Sequence, residues 1–143
     1  MKRIVFAMIA AWMVAVGVNA QCAAKNDAIQ VGEELTYELK FNWKFIWVNA
    51  GDARMELKET QYNGKPAYRT DLLCVSNKKV DFFFKMRDTL TCITTPQLEP
   101  LYFRKGAEEG SHYTVDEVRF GYEGGKCIVD QQRYRRGKGT TKT

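Results

Sequence analysis

Several catalytic and metal-binding signatures are missing from this chain. It has a single histidine, His112, so a zinc site built on histidines has too few ligands. A base relayed through that histidine also lacks an evident orienting partner. No Cys-x-x-Cys occurs, which argues against a zinc ribbon or a thioredoxin-like redox centre. Ser76 and Ser111 lie in no nucleophile-elbow pattern. The glycines Gly106, Gly110, Gly121, Gly124 and Gly125 read as turn positions rather than as a phosphate loop between a strand and a helix. Acidic neighbours, Glu33 with Glu34 and Glu108 with Glu109, would point to opposite faces of a strand, a poor geometry for paired acid and base work. Internal repeats, low-complexity segments and strong helical periodicity are absent as well. The residues thus predict no enzyme, no metal and no cofactor.

Between positions 35 and 47 the sequence becomes informative. Leu35, Tyr37, Leu39, Phe41, Trp43, Phe45 and Trp47 alternate with Thr36, Glu38, Lys40, Asn42 and Lys44, and only Ile46 interrupts the polar set. A period of two belongs to an extended chain and writes one apolar, mostly aromatic face. Read as one strand, the run would span roughly 40 Å at about 3.3 Å per residue, long enough to bend around a core. Asn49, Ala50 and Gly51 read as the turn into a second alternating run through Ala53, Met55 and Leu57.

Further along, Asn63 and Gly64 predict a tight hairpin turn, because both types tolerate positive φ. Positions 67–75 then read as a third strand. Positions 80–86, with Phe82, Phe83 and Phe84 in a row, are left undecided between helical turn, buried loop and strand. Further strands are expected over 88–94, 101–105, 111–122 and 126–134, with turns at 106–110 and at Gly124 and Gly125. About seven strands joined by short turns predict an all-β fold. The expected form is a strongly curved antiparallel sheet, a partial barrel or a sandwich.

The first residues speak of export. Lys2 and Arg3 precede an apolar stretch over 4–18, and Val18, Asn19 and Ala20 make a small-residue end. Residues 1–20 are therefore read as a signal peptide cut after Ala20, leaving 21–143 as one β domain. The stretch is short for an uncleaved membrane anchor, and Gln21 is a poor residue before a lipid-anchored Cys22. Formal charge is +5, of which Lys2 and Arg3 supply two. Much of the rest lies near the end, at Arg133, Arg135, Arg136, Lys138 and Lys142. Such a tail suits nucleic acid or anionic lipid in principle, yet an exported protein rarely meets nucleic acid, and a solvated end is the simpler reading. A membrane barrel is not expected, since the strands are too few to close a pore and the later ones are polar on both faces.

Four cysteines bound for an oxidising compartment allow three complete pairings, and spacing does not choose among them. Cys74 with Cys92 is the preferred bridge, because both lie in strand-like runs separated by one connection. Free buried thiols are its rival.

A set of phrases then carries a family likeness. Gly32, Glu33, Leu35, Thr36 and Tyr37; Ala50, Gly51 and Ala53; Phe84, Lys85, Met86, Arg87 and Asp88; Leu98, Glu99, Pro100 and Leu101; and Glu109 with Gly110 together resemble the bacterial exported family called domain of unknown function 3108. The resemblance spreads from Gly32 to about Tyr134. It implies no activity and supplies no catalytic residues. It also implies further strands after Lys142, since members run to roughly twice this mature length. On that expectation 21–143 is the N-terminal part of a domain, truncated at its C-terminus, with sheet edges and apolar surface left open.

Two functions follow as expectations. The first is a periplasmic, non-enzymatic binding or carrier protein that shelters a lipid or other apolar ligand against Tyr37, Phe41, Trp43, Phe45 and Trp47, by analogy with curved sheets that enclose ligands. The alternative is an envelope scaffold, in which the sheet docks another protein.

Overall fold

The computed structural model describes residues 29–143. The expected signal peptide and Cys22 lie outside the described residues. Eight strands form one antiparallel sheet whose spatial order follows the chain, β1 through β8. They are β1 (Glu34–Trp43), β2 (Ile46–Tyr62), β3 (Lys65–Ser76), β4 (Met86–Thr94), β5 (Pro100–Glu109), β6 (His112–Glu123), β7 (Lys126–Arg135) and β8 (Gly139–Lys142). The all-β, single-sheet expectation holds. The sheet is not closed into a barrel, because β1 pairs only with β2 and β8 only with β7, and no second sheet makes a sandwich among the described residues. The strand added to the expected seven is β8, a short polar pairing that sequence periodicity does not register.

Turn chemistry explains two of the hairpins directly. Asn63 and Gly64 adopt φ of 52° and 75°, and Gly124 and Gly125 adopt 57° and 74°. These are the mirror-image turns whose twist matches that of the flanking strands. The β5 to β6 connection is narrower than expected. Gly106 lies within β5, opposite Thr89, and the chain turns only at Gly110 and Ser111.

The first hairpin departs furthest from the sequence reading. The alternation over 35–47 is not one strand: the chain reverses at Lys44 and Phe45, where Lys44 takes φ 60°, and Trp43 pairs with Ile46. Neither turn residue is a glycine or an asparagine, and the aromatic rhythm runs straight through them. The expected turn at 49–51 is instead a bulge inside β2. Leu39 opposes Gly51 and Lys40 opposes Asn49, so Ala50 is an extra residue that no partner faces. One unpaired residue reverses the parity of everything beyond it. Ile46, the apparent error in the alternation, is made a consistent member of it by the earlier reversal at Lys44 and Phe45, which sets it opposite Trp43.

Following the register from strand to strand separates two faces, since directly opposed residues share a side. One carries Leu35, Tyr37, Leu39 and Phe41 of β1, with Val48, Ala53, Met55 and Leu57 of β2 and Leu72 and Cys74 of β3. It continues through Leu90 and Cys92, Phe103 and Ala107, and Val118, Phe120 and Val129. This is the apolar face. It holds Ala53, Leu57 and Ala107, three of the four apolar residues that are buried among the described residues, and none of the described large side chains is fully enclosed. The opposite, polar face completes its own interactions. Arg54 reaches Glu34 at 2.6 Å, Arg69 and Thr91 both reach Asp71 at 2.7 Å, and the Tyr102 hydroxyl donates to Glu117 at 2.8 Å.

The undecided segment after β3 becomes a four-residue helix, α1 (Lys78–Asp81), capped by Asn77, whose Oδ1 accepts from the Lys79 and Val80 amides at 3.0 Å. Phe82, Phe83 and Phe84 follow it outside the strands and are exposed. A clasp ties this connection to the sheet. Arg87 donates to Asp81 Oδ2 at 2.5 Å and to the Ser76 carbonyl at 3.1 Å, and the Ser76 hydroxyl also donates to Asp81. The Arg87 guanidinium, seconded by Ser76, holds the Asp81 carboxyl below the usual carboxylate range. A depressed folded pKa contributes stability above the unfolded value that is lost as pH falls through the folded one. Asp81→Asn is therefore expected to be less stable than the parent at neutral pH, with the gap closing in acid below the ordinary aspartate range. Urea unfolding at stepped pH reads this, and a gap that stayed constant with pH would refute it.

Candidate functional site

The aromatic residues singled out in the sequence do not converge on one site. Tyr37 and Phe41 lie on the apolar face of β1, the edge strand, with 48% and 60% of their surfaces exposed. Trp43 closes the hairpin opposite Ile46. Phe45 occupies the turn itself and is 96% exposed. Trp47 pairs with Asn42, which places it on the polar face, a correction to the expected single row. The physical reason is the two-residue reversal at Lys44 and Phe45, after which the Ala50 bulge returns Ala53, Met55 and Leu57 to the apolar face. What periodicity assigned to one side is shared among the apolar face, the turn and the polar face. In exchange the fold brings Ile46 and Val48 to the apolar face, both exposed. The sequence reading missed them as face residues because their parity is set by the turn at Lys44 and Phe45, which leaves no compositional mark.

The preferred disulfide is likewise corrected. Cys74 and Cys92 are free thiols, as is Cys127. They share the apolar face on adjacent strands, but Cys74 opposes Asp88 and Cys92 opposes Thr70. A four-residue offset along β4 corresponds to roughly 13 Å, whereas a bridge needs Cα atoms within about 7 Å. Burial raises both thiols above their ordinary pKa, with Asp88 adding to the effect at Cys74, so neither has the thiolate character of a nucleophile.

Three of the four acidic neighbours are ion-paired, and Glu33 accepts from the Gln30 amide at 3.3 Å. Glu34 is held by Arg54, Glu108 receives Lys85 Nζ at 3.1 Å, and Glu109 lies 3.5 Å from Lys105 Nζ. His112 sits beside the β5 to β6 turn, opposite Glu109. No group of three metal-ligating side chains occurs among the described residues, and no described helix is long and apolar enough to cross a membrane.

Two features of the apolar face have geometry worth a functional reading. Near one end, Ile29, Leu35, Met55, Leu57 and Leu98 line a cleft of about 170 Å³, with Glu33, Thr70 and Thr94 at its margin. Across the other half runs a line of charge that periodicity did not reveal. Lys105 opposes Asp116, and Asp116 opposes Arg133. Asp88 stands two positions off that line on β4, opposite Ala107. Lys105 Nζ lies 3.5 Å from Asp88 Oδ2, and Arg133 makes a forked contact to Asp116, with Nη2 to Oδ2 at 3.1 Å. The signs alternate from strand to strand: minus, plus, minus, plus. Asp88 is only 7% exposed, and its Oδ1 has no partner among the described residues. Burial, aided by Glu109 and opposed by Lys105, pushes its carboxyl above the usual range.

A family model described as "Protein of unknown function (DUF3108)" matches residues 36–143. No curated protein and no solved structure matches the chain.

Proposed function

Because the chain belongs to the DUF3108 family, whose description assigns no activity, we propose from the residues themselves that it is a non-enzymatic interaction module whose apolar sheet face docks another polypeptide. One observation carries this reading. Eight strands are paired, yet Leu35, Tyr37, Phe41, Ile46 and Val48 keep more than a third of their surfaces exposed on one side of the sheet. A contiguous apolar surface along this edge hairpin is a docking signature. The non-enzymatic part is supported by the acidic neighbours: Glu34, Glu108 and Glu109 are each tied to a lysine or an arginine, and Glu33 accepts from the Gln30 amide, where catalysis would want a free pair. An exported, periplasmic setting is supported by Lys2, Arg3, the apolar run over 4–18 and the small-residue end at Ala20.

The test compares two positions on one strand. A photo-crosslinking side chain at Phe41, on the apolar face, is expected to trap a polypeptide in the cell envelope. The same probe at Thr36, on the polar face, is expected to trap none. Equal trapping at both, or none at either, removes the reading.

A second reading, a carrier for a lipid or other apolar ligand, is favoured by the cleft around Leu57. Its 170 Å³ falls below the roughly 300 Å³ at which small-molecule pockets usually begin, so it suits a short alkyl segment at most. Native mass spectrometry that found a co-purified lipid would favour the carrier over the module.

A further inference from the structure

The two ends of the sheet differ in chemistry. Because the strands run up and down in chain order, one end gathers the turn at Lys44 and Phe45, the connection over 77–85, and the turns at 110–111 and 136–138. Every exposed phenylalanine and tryptophan among the described residues lies toward that end: Phe41, Phe45, Trp47, Phe82, Phe83 and Phe84. Phe45 is the most exposed, and Phe82 and Phe83 follow at 85% each, edge to face with ring centroids 5.1 Å apart. Lys44, Lys78 and Lys79 beside them are exposed too. Asp81 is occupied by Arg87 and Lys85 by Glu108, while Arg136 and Lys138 add to the positive charge. At the opposite end Lys65, Glu99, Glu123 and Lys126 flank the turns and cancel.

Both aromatic projections are held in place. The β1 to β2 hairpin continues past the pairing of Gly51 with Ser76, where β3 ends, so its turn stands roughly 15 Å beyond that pair. The connection over 77–85 is pinned beside this hairpin, with Asn77 Nδ2 donating to the Asn49 carbonyl at 2.6 Å. On its other flank the Gly110 amide donates to the Lys85 carbonyl at 2.7 Å. The two tips stand about two strand spacings apart, roughly 10 Å, and one flat surface can rest on both. Rings in water at the tips of turns, flanked by lysines, suit a bilayer surface, where rings settle at headgroup depth and ammonium groups meet phosphates. A protein partner suits them less, because lysine is depleted from protein interfaces. We infer that this end of the sheet docks on a bilayer surface rich in anionic lipid. Phe45, Phe82 and Phe83 enter the headgroup region, and Lys44, Lys78 and Lys79 hold lipid phosphates. The contact is peripheral, about 5–10 Å deep, and needs no spanning element. It is made by the end of the sheet, so it neither requires nor forbids the docking of a polypeptide on the apolar face.

The test uses the chain from Gln21 onward, which contains every described residue and removes the apolar run over 4–18 as a binder in its own right. Co-sedimentation with equimolar phosphatidylcholine and phosphatidylglycerol vesicles is compared with phosphatidylcholine alone. The parent is expected on the anionic vesicles, with binding that falls as salt is raised. Lys44→Gln, Lys78→Gln and Lys79→Gln together should weaken it about a hundredfold, at roughly fivefold per lysine. Phe45→Ser, Phe82→Ser and Phe83→Ser together should weaken it by about the same factor, through lost apolar burial. All six side chains are exposed, so both triple variants should keep native circular dichroism. Ile128→Ser, also an exposed apolar residue but near the Gly124 and Gly125 turn at the opposite end, should bind as the parent does. The inference is overturned by a parent that binds neither vesicle or both equally, by either triple variant binding like the parent, or by an equal loss in Ile128→Ser. Trapping at Phe41 and Thr36 judges the apolar face separately, so the two readings fail independently.

Discussion

Gly51→Ala is expected to lower the unfolding free energy by about 3 kcal/mol, a large effect for the addition of one methyl group. A Cβ at Gly51 would lie 2.1 Å from the Val75 carbonyl oxygen and 2.7 Å from the Ser76 Cα. Both obstacles are backbone, so no rotamer change relieves them. β2 and β3 would have to separate where Gly51 opposes Ser76, and next to that pair the Asn77 amide donates to the Ala50 carbonyl at 2.9 Å. The bulge, the cap of α1 and the start of the Arg87 clasp meet at this point. Gly121 is the matched control, because a Cβ there has nothing nearer than 3.9 Å and Gly→Ala at a permissive site is neutral or slightly stabilising. Equilibrium urea unfolding of the two variants reads the contrast. Equal midpoints would mean that β2 and β3 do not approach each other as described.

Leu57→Ala should cost a similar amount, about 2 to 3 kcal/mol, whereas Phe45→Ala should stay within about 0.5 kcal/mol of the parent. Among the described residues Leu57 is the one large aliphatic residue that is buried, at 8% exposure. Its backbone ties the residues before β1 to the sheet, donating to the Glu33 carbonyl at 3.0 Å and accepting from the Gly32 amide at 2.9 Å. Truncating its side chain enlarges the cleft it shares with Leu35, Met55 and Leu98, and the surrounding strands can collapse only partly into the gap. Phe45 is the larger hydrophobe but sits on a turn in water, so its loss removes little. Thermal unfolding of both variants decides the matter; a Phe45 variant as damaged as the Leu57 variant would indicate that the turn is covered by something that buries it.

These two residues also show what the sequence could and could not tell. The all-β class was legible because alternation and turn types agree: Asn63 with Gly64 and Gly124 with Gly125 carry their φ preferences in their identities. The reversal at Lys44 was not legible, since a lysine in the left-handed region has no compositional signature and the aromatic rhythm crosses it unbroken. That reversal alone moves Trp47 to the other face, and the Ala50 bulge, equally illegible, returns Ala53, Met55 and Leu57 to the apolar one. Gly106 looked like a turn glycine but is an interior strand residue. Of the candidate site, Tyr37 and Phe41 were correctly expected on an apolar face, while the disulfide failed on register, which spacing does not encode. The charge row was recoverable in principle. Once the turns at 110–111 and 124–125 are located, folding the chain about them sets Lys105 against Asp116 and Asp116 against Arg133. The misplaced turn at 106–110 concealed the first of these pairs.

The strictly sequential strand order has a kinetic consequence. Every pairing joins neighbours along the chain, so the entropy of closing each loop is small and any one hairpin can serve as the seed on which the next is laid. A sheet assembled this way resembles a linear array in which each member is steadied only by the two beside it. Unravelling should therefore begin at the outer ribbons and travel inward, leaving the middle strands as the last to exchange their amide protons.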